Sequence, residues 1–262
     1  MCLLKKLIII LCFVNITFAE ERIVVLAPAA ADILAKLDLS DYVVGKTTYV
    51  VEFEDAKVVG THIMPNLEII MKLKPTHIIS MESNMLFDRL KNNINSTIVT
   101  YDPVNLVEIM EQIKKFGVIF GKEEKSQQLI QYINSCLAKI QPIHNKPTLL
   151  YEISSEPLIL AGKNSIIYDT IVRAHGHYPI DAPRKLFKTS IEHIYKYAPD
   201  IYIYQVGPMN KNPIPPGDRK EFALLKNTKF IEVNQERFLR AGMNVIDNIQ
   251  FLNEFFIREG YK

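Results

Sequence analysis

The chain contains no tryptophan, and its 262 residues include only three cysteines, Cys2, Cys12 and Cys136. It has no G-x-S-x-G elbow, no Walker loop and no G-x-G-x-x-G fingerprint. The usual sequence handles for a serine hydrolase, a P-loop NTPase or a dinucleotide enzyme are therefore missing. Low-complexity and Gly/Ser-rich stretches are absent too, which leaves no flexible linker between domains. Past the N-terminus no run reaches about 18 apolar residues, the length of a membrane-spanning helix. What remains is ordinary: 48% hydrophobic and 23% charged residues fit a globular protein with a sizeable core. The length allows two domains or one large one.

The first twenty residues are not ordinary. Lys5 and Lys6 precede an apolar run at 7–14, and Thr17-Phe18-Ala19 puts small residues at the −3 and −1 positions. That pattern predicts a secretory signal peptide over residues 1–19, cleaved after Ala19. Cys12 follows Ile9-Ile10-Leu11, whereas lipid attachment needs a small residue just before the cysteine, so the expected product is not a lipoprotein. Losing the leader removes Cys2 and Cys12 and leaves Cys136 alone, which rules out an internal disulfide in a compartment that would permit one. It also takes the basic count from 31 to 29, level with the 29 acidic residues. A neutral chain argues against nucleic acid or an anionic membrane surface as partner. The expected location is the bacterial periplasm.

Two stretches, residues 66–80 and 190–204, read almost as copies. Each sets a polar residue, Asn66 or Ser190, before a short amphipathic helix, with Leu67, Ile70 and Leu73 or Ile191, Ile194 and Tyr197 at helical spacing. Each then meets a proline, Pro75 or Pro199, and enters a β-rich run. Glu68 and Glu192 stand 124 positions apart, each at a helix start where the dipole favours a carboxylate. Solenoid repeats recur about every 20–50 residues, so a single recurrence at this distance points to two similar lobes.

Around these copies the chain alternates. Strands at 22–26, 41–44, 58–60 and 98–101, with a helix at 29–37 behind Pro28, predict a parallel sheet with helices on both faces. From 104 to about 140 it turns helical, interrupted near 117–121. Residues 122–140 alone would span roughly 28 Å at 1.5 Å per residue and read as a rigid strut. Pro142 and Pro147 end it. A second series follows: a strand at 148–153, a helix from 161–165 to about 174, the second copy, a proline-rich loop, a strand at 230–233 and a helix at 244–258. The expected division is a first lobe at 20–121, a connecting helix at 122–142 and a second lobe at 143–262.

Several short stretches fall in the order and spacing of one family. They are Ile23-Val24-Val25-Leu26-Ala27-Pro28, Val43-Val44-Gly45, Val59-Gly60, Asn66-Leu67-Glu68 with Lys74-Pro75, and Gly162 with Ser165. Ser190-Ile191-Glu192 with Pro199-Asp200, and Leu239-Arg240-Ala241-Gly242, complete the set. From about Arg22 onward the chain resembles the periplasmic substrate-binding proteins of ABC importers for iron–siderophore, haem and cobalamin. The resemblance implies an α/β fold of two Rossmann-like lobes with parallel sheets, joined by one long α-helix, with the ligand cleft between lobes that move little. It implies a monomeric carrier rather than an enzyme, without an intrinsic cofactor. Its partners would be an ABC permease in the inner membrane and a small-molecule metal chelate. Glu68 and Glu192 match the glutamates that this family presents, one per lobe, to arginines of the permease. Such charge pairs steer and register the partners.

The family's cleft positions match Pro28, Tyr49, His62, Ile159, Leu186 or Phe187, Glu236 and Arg240. Pro28, Tyr49 and Arg240 agree with a cobalamin binder and Glu236 keeps a carboxylate, but His62, Ile159 and Leu186 replace aromatics. The family's haem-ligating tyrosine falls near Thr61, one position before His62, which is itself a competent iron ligand. The resulting expectation is an iron complex, siderophore or haem, held between Tyr49 and His62 on one lobe and Arg240 on the other, with His62 reaching the chelated metal. Cobalamin and nickel chelates are alternatives, as is an exported two-lobed metal chelatase, which would turn over rather than bind stoichiometrically. Arg240 has two roles open to it: its guanidinium suits an anionic ligand group, or pairs with Glu236. His175 and His177 form the only close histidine pair and read as a solvated turn. No set of histidines and carboxylates assembles for a bare zinc or manganese ion.

Overall fold

The computed structural model describes residues 21–81 and 95–261, so the expected leader lies outside the described residues. The first strand, β1 (Ile23–Val25), is β-branched throughout and buried on both faces. Ile23 and Val25 join the main core, while Val24 and the following Leu26 join a smaller cluster with Val59, Ile70 and Ile78. Successive strand residues point to opposite faces, so only a central strand covered on both sides reads this way. Its sheet also contains β2 (Val43–Lys46), β3 (Lys57–Val58), β4 (His77–Ser80) and β5 (Thr97–Thr100), ordered β3-β2-β1-β4-β5 and wholly parallel. The chain moves outward to one side of β1 and then to the other. A crevice therefore opens at the carboxyl ends of β1 and β4, where open α/β sheets bind ligands.

The second sheet is β10-β9-β6-β7-β8, built from β6 (Leu149–Ser154), β7 (Ile159–Ala161), β8 (Leu186–Lys188), β9 (Ile201–Val206) and β10 (Lys229–Asn234). Strands β6, β9 and β10 are parallel, as expected, but β7 and β8 run antiparallel at one edge. This corrects the expectation of parallel sheets in both lobes. The connection from β6 to β7 is too short for a crossover helix, and a short connection permits only an antiparallel neighbour.

Among the described residues, the helices of the first lobe are α1 (Ala31–Lys36), entered through a 3-10 turn at Pro28–Ala30, and α2 (Leu67–Leu73). Then follow α3 (Leu106–Ile119), α4 (Glu123–Leu137), α5 (Ile166–Arg173), α6 (Ile191–Tyr197), α7 (Gln235–Leu239) and α8 (Asn244–Arg258). The copied stretches prove to be structural equivalents. Helices α2 and α6 are both seven residues long, and Lys74 and Ala198 end them in the left-handed region at φ 47° and 42°. They feed β4 and β9, the corresponding strands of the two sheets. Asn66 caps α2 by accepting the Ile69 N–H.

The expected strut at 122–140 is helical over Glu123–Leu137 and does not stand alone. Helices α3 and α4 form a hairpin turned at Gly121, whose φ of 62° suits glycine. Their contact is close: a Cβ on Gly117 would collide with Ser126. Helix α3 begins against the second lobe, where Asp169 accepts the Leu106 N–H at 2.8 Å and Lys185 pairs with Asp102 at 2.6 Å. It ends against the first, with Phe116 stacked on Tyr101 and Phe120 on the edge of His77. Helix α4 starts beside Asp38, which Lys125 meets at 2.7 Å. Past its end Gln141 and Asn253 of α8 exchange two hydrogen bonds. The main core runs without a break from the first lobe through this hairpin into the second. Lobes that share a core and a helical hairpin do not hinge freely. Small-angle scattering profiles with and without cargo should therefore nearly superimpose; a marked compaction would mean a hinged binding protein instead.

Candidate functional site: the cleft between the lobes

At the carboxyl end of β1 the chain turns through Pro28–Ala30, while Tyr49 and His62 stand on the loops that follow β2 and β3. Facing them is α7, whose cap Asn234 accepts the Arg237 N–H and which carries Glu236. Four consecutive residues beyond α7 meet the first lobe. Arg240 donates through Nη2 to the Tyr49 carbonyl at 2.6 Å, and the Ala241 carbonyl accepts the Tyr101 hydroxyl at 2.6 Å. Gly242 lies against the Asp32 carboxyl, and the Met243 N–H donates to Asp32 Oδ2 at 2.7 Å. This seam floors a cavity of about 140 Å³ lined by Pro28, Asp32 and Glu52 from one lobe and Glu236, Arg237 and Arg240 from the other.

Pro28, Glu236 and Arg240, named from the sequence, thus share one cavity. Of the two roles left open for it, Arg240 takes the pairing with Glu236, whose carboxylate it reaches at 3.5 Å, while it also donates to the opposite lobe. The Tyr49 and His62 rings meet edge to face with centroids 6.0 Å apart. Burial, and then the Arg240 charge, hold His62 below its usual pKa, so the imidazole is neutral at neutral pH. Burial also pushes the Tyr101 phenol well above its usual value, with the Asp32 charge adding, so it remains a donor.

Ile159, Leu186 and Phe187 are not among the residues lining this cavity. They lie on β7 and β8 at the antiparallel edge of the second sheet, where Phe187 neighbours His193 of α6 with ring centroids 6.5 Å apart. His177 is tied by backbone bonds to Pro147 and Leu149, at the start of β6. Among the described residues no three His, Cys, Asp or Glu side chains are grouped as a metal site. Sequence reasoning missed Asp32 and Glu52. The one available signal for Asp32 was an acid inside the otherwise apolar helix start Ala29-Ala30-Ala31-Asp32-Ile33-Leu34.

Two α/β lobes that face one another across a cleft, tied by a helical hairpin and a hydrogen-bonded seam, define a bilobed binding protein of the stiff kind. A family model described as periplasmic binding protein matches residues 23–223, and the chain belongs to that family, one of transport substrate-binding proteins. It is 24% identical over 264 residues to the ABC transporter substrate-binding lipoprotein YvrC of Bacillus subtilis, covering 95% of this chain and 84% of the relative. It is 29% identical over 198 residues to the high-affinity heme uptake system protein IsdE of Staphylococcus aureus, covering 70% of this chain and 66% of the relative. The solved structure of S. aureus IsdE complexed with heme superposes with a TM-score of 0.76 at 25% identity, over 91% of this chain and 99% of that one. The periplasmic vitamin B12 binding protein BtuF of Vibrio cholerae shares the fold, with a TM-score of 0.71 at 20% identity over 92% and 98%.

Proposed function

We propose that the chain, the substrate-binding component of an ABC importer of the haem, siderophore and cobalamin type, captures an iron complex in this cleft and delivers it to the inner-membrane permease. The observation that carries the choice of cargo is that Arg240 reaches the Tyr49 backbone carbonyl across the seam while the Tyr49 and His62 rings meet edge to face, which sets a phenol, a neutral imidazole and a guanidinium near one another beside the cavity. Imidazole and phenol are iron ligands, and a guanidinium holds a propionate or siderophore carboxylate. The rim supports a broad, partly apolar cargo. Val51, Ile63 and Met64, on the same two loops as Tyr49 and His62, are each more than 70% exposed. The cavity itself is smaller than the roughly 300–1,000 Å³ of ordinary ligand pockets. Cargo therefore enters by drawing the Arg240 guanidinium off the Tyr49 carbonyl and onto its own anionic group. The protein works exported, on the outer side of the inner membrane, as a soluble monomer after its leader is removed.

Purified protein should be titrated with haemin, ferric siderophores, cobalamin and nickel–histidine, following visible spectra and tyrosine fluorescence, which no tryptophan obscures. The expected result is submicromolar binding of an iron complex, weakened about tenfold or more by His62→Ala. If only cobalamin binds below micromolar, the choice of iron is wrong. If His62→Ala binds the true cargo as tightly as the wild type, His62 is not a ligand contact.

A further inference from the structure

Asp32 has no part in the reading above, yet it lies where the lobes meet. Its carboxyl is flat against the turn of the second lobe. Oδ2 accepts the Met243 N–H, while Oδ1 is buried with no hydrogen-bond donor among the described residues. A Cβ on residue 242 would sit 2.7 Å from Oδ1 and 2.9 Å from Oδ2, so the lobes close over this carboxyl only because Gly242 has no side chain. In water a carboxylate fills about four acceptor sites. Closing the seam removes that water and returns a single N–H, so an ionised Asp32 opposes lobe contact and a neutral one does not.

We propose that the seam is a proton-binding site: Asp32 takes up a proton as the two lobes come together, and lobe contact tightens as the pH falls. The surroundings agree in sign. Burial pushes the carboxyl up to about 6; the Met243 and Ile33 N–H groups and Lys36 of α1 act against this, and Glu52 from the loop after β2 adds to it. Beside β5, Tyr101 faces the carboxyl as a neutral phenol. From the second lobe Glu236, Arg237 and Arg240 share the cavity, with the Arg240 guanidinium engaged by Glu236 and the Tyr49 carbonyl. A hydrated aspartate titrates near 3.8. Above about 6 the carboxyl is ionised in both arrangements and the closed one is disfavoured. As the pH falls toward 4 only the closed arrangement holds the proton, which raises the closed-to-open ratio by up to about 100-fold.

The consequence, though not the test, rests on the carrier reading: a carrier outside the inner membrane meets the external pH and would grip its cargo harder in acid. The test uses cargo-free protein, so its failure leaves that reading standing, and a failure to find cargo leaves this result intact. Amide exchange at Met243, corrected for the intrinsic pH dependence, reports opening of the seam. Protection should rise about tenfold between pH 7.5 and 5, as the carboxyl of the closed seam titrates with a midpoint near 6. Asp32→Asn should flatten the profile, and Glu52→Gln should move the midpoint down. An infrared carboxylic-acid band should titrate with the same midpoint in the wild type. Flat protection in the wild type, or an unchanged slope in Asp32→Asn, overturns the proposal. Should Asp32→Asn fail to fold, a midpoint unmoved by Glu52→Gln overturns it on its own.

Discussion

Combining Glu68→Ala with Glu192→Ala should leave cargo affinity unchanged and reduce import through the cognate permease by about tenfold for each glutamate lost. Both side chains are exposed in the first turns of α2 and α6, the two structurally equivalent helices, and neither lines the cleft. The helix dipoles favour their charge, and the Ser190 hydroxyl holds Glu192 below its usual pKa, which favours the ionised carboxylate. One anion on each lobe at equivalent places suits a partner that contacts both lobes at once. Each single variant should keep part of the activity, because the remaining charge still registers one lobe. Uptake of labelled cargo by cells and titration of the purified variant decide the matter. Normal import by the double variant would remove the docking role, and a loss of affinity would show that the helices shape the cleft instead.

Arg219→Met should destabilise the second lobe by about 3–5 kcal/mol, lowering the melting temperature by roughly 10 °C. Glu152 on β6 is fully buried and receives both Arg219 nitrogens at 2.6 and 2.8 Å, the Tyr202 hydroxyl at 2.6 Å and the Asn210 amide at 3.2 Å. Arg219 also donates to the Ile214 carbonyl and stacks on Phe222, so the ion pair pins the proline-rich loop onto the sheet. Truncating the arginine leaves a buried carboxylate without its countercharge. Adding Glu152→Gln to Arg219→Met should recover part of the loss, since no unpaired charge remains. Thermal melts of the three proteins read this out. A single variant within about 1 kcal/mol of wild type would mean that water or another cation reaches Glu152.

The copied helices were legible because their apolar spacing and the prolines just beyond them are local signals, and the last helix, expected over 244–258, is found over Asn244–Arg258. Strands β7 and β8 escaped notice because three residues are too few to show an alternation, and with them went the true setting of Ile159 and Phe187. The pairing of α3 with α4 depends on glycine meeting serine at 117 and 126, which periodicity does not register. The cavity held Pro28, Glu236 and Arg240, which the family resemblance had named. Asp32 acquires its meaning only through Gly242 and Met243, some 210 residues further along the chain, and no local pattern marks such a contact.

A single rod bends easily, but two rods bonded side by side bend only if one is stretched while the other is compressed. Helices α3 and α4 are joined in this way at Gly117 and Ser126 and anchored in both lobes by Asp169, Asp38 and Asn253. Rocking the lobes apart therefore strains the hydrogen-bonded backbone of a helix along its length, where backbone is least extensible. Thermal motion opens the seam locally but supplies little of the work of rocking whole lobes apart. On the docking role tested above, the leverage that frees the cargo would come from the partner, with Glu68 and Glu192, one on each lobe, as its handles.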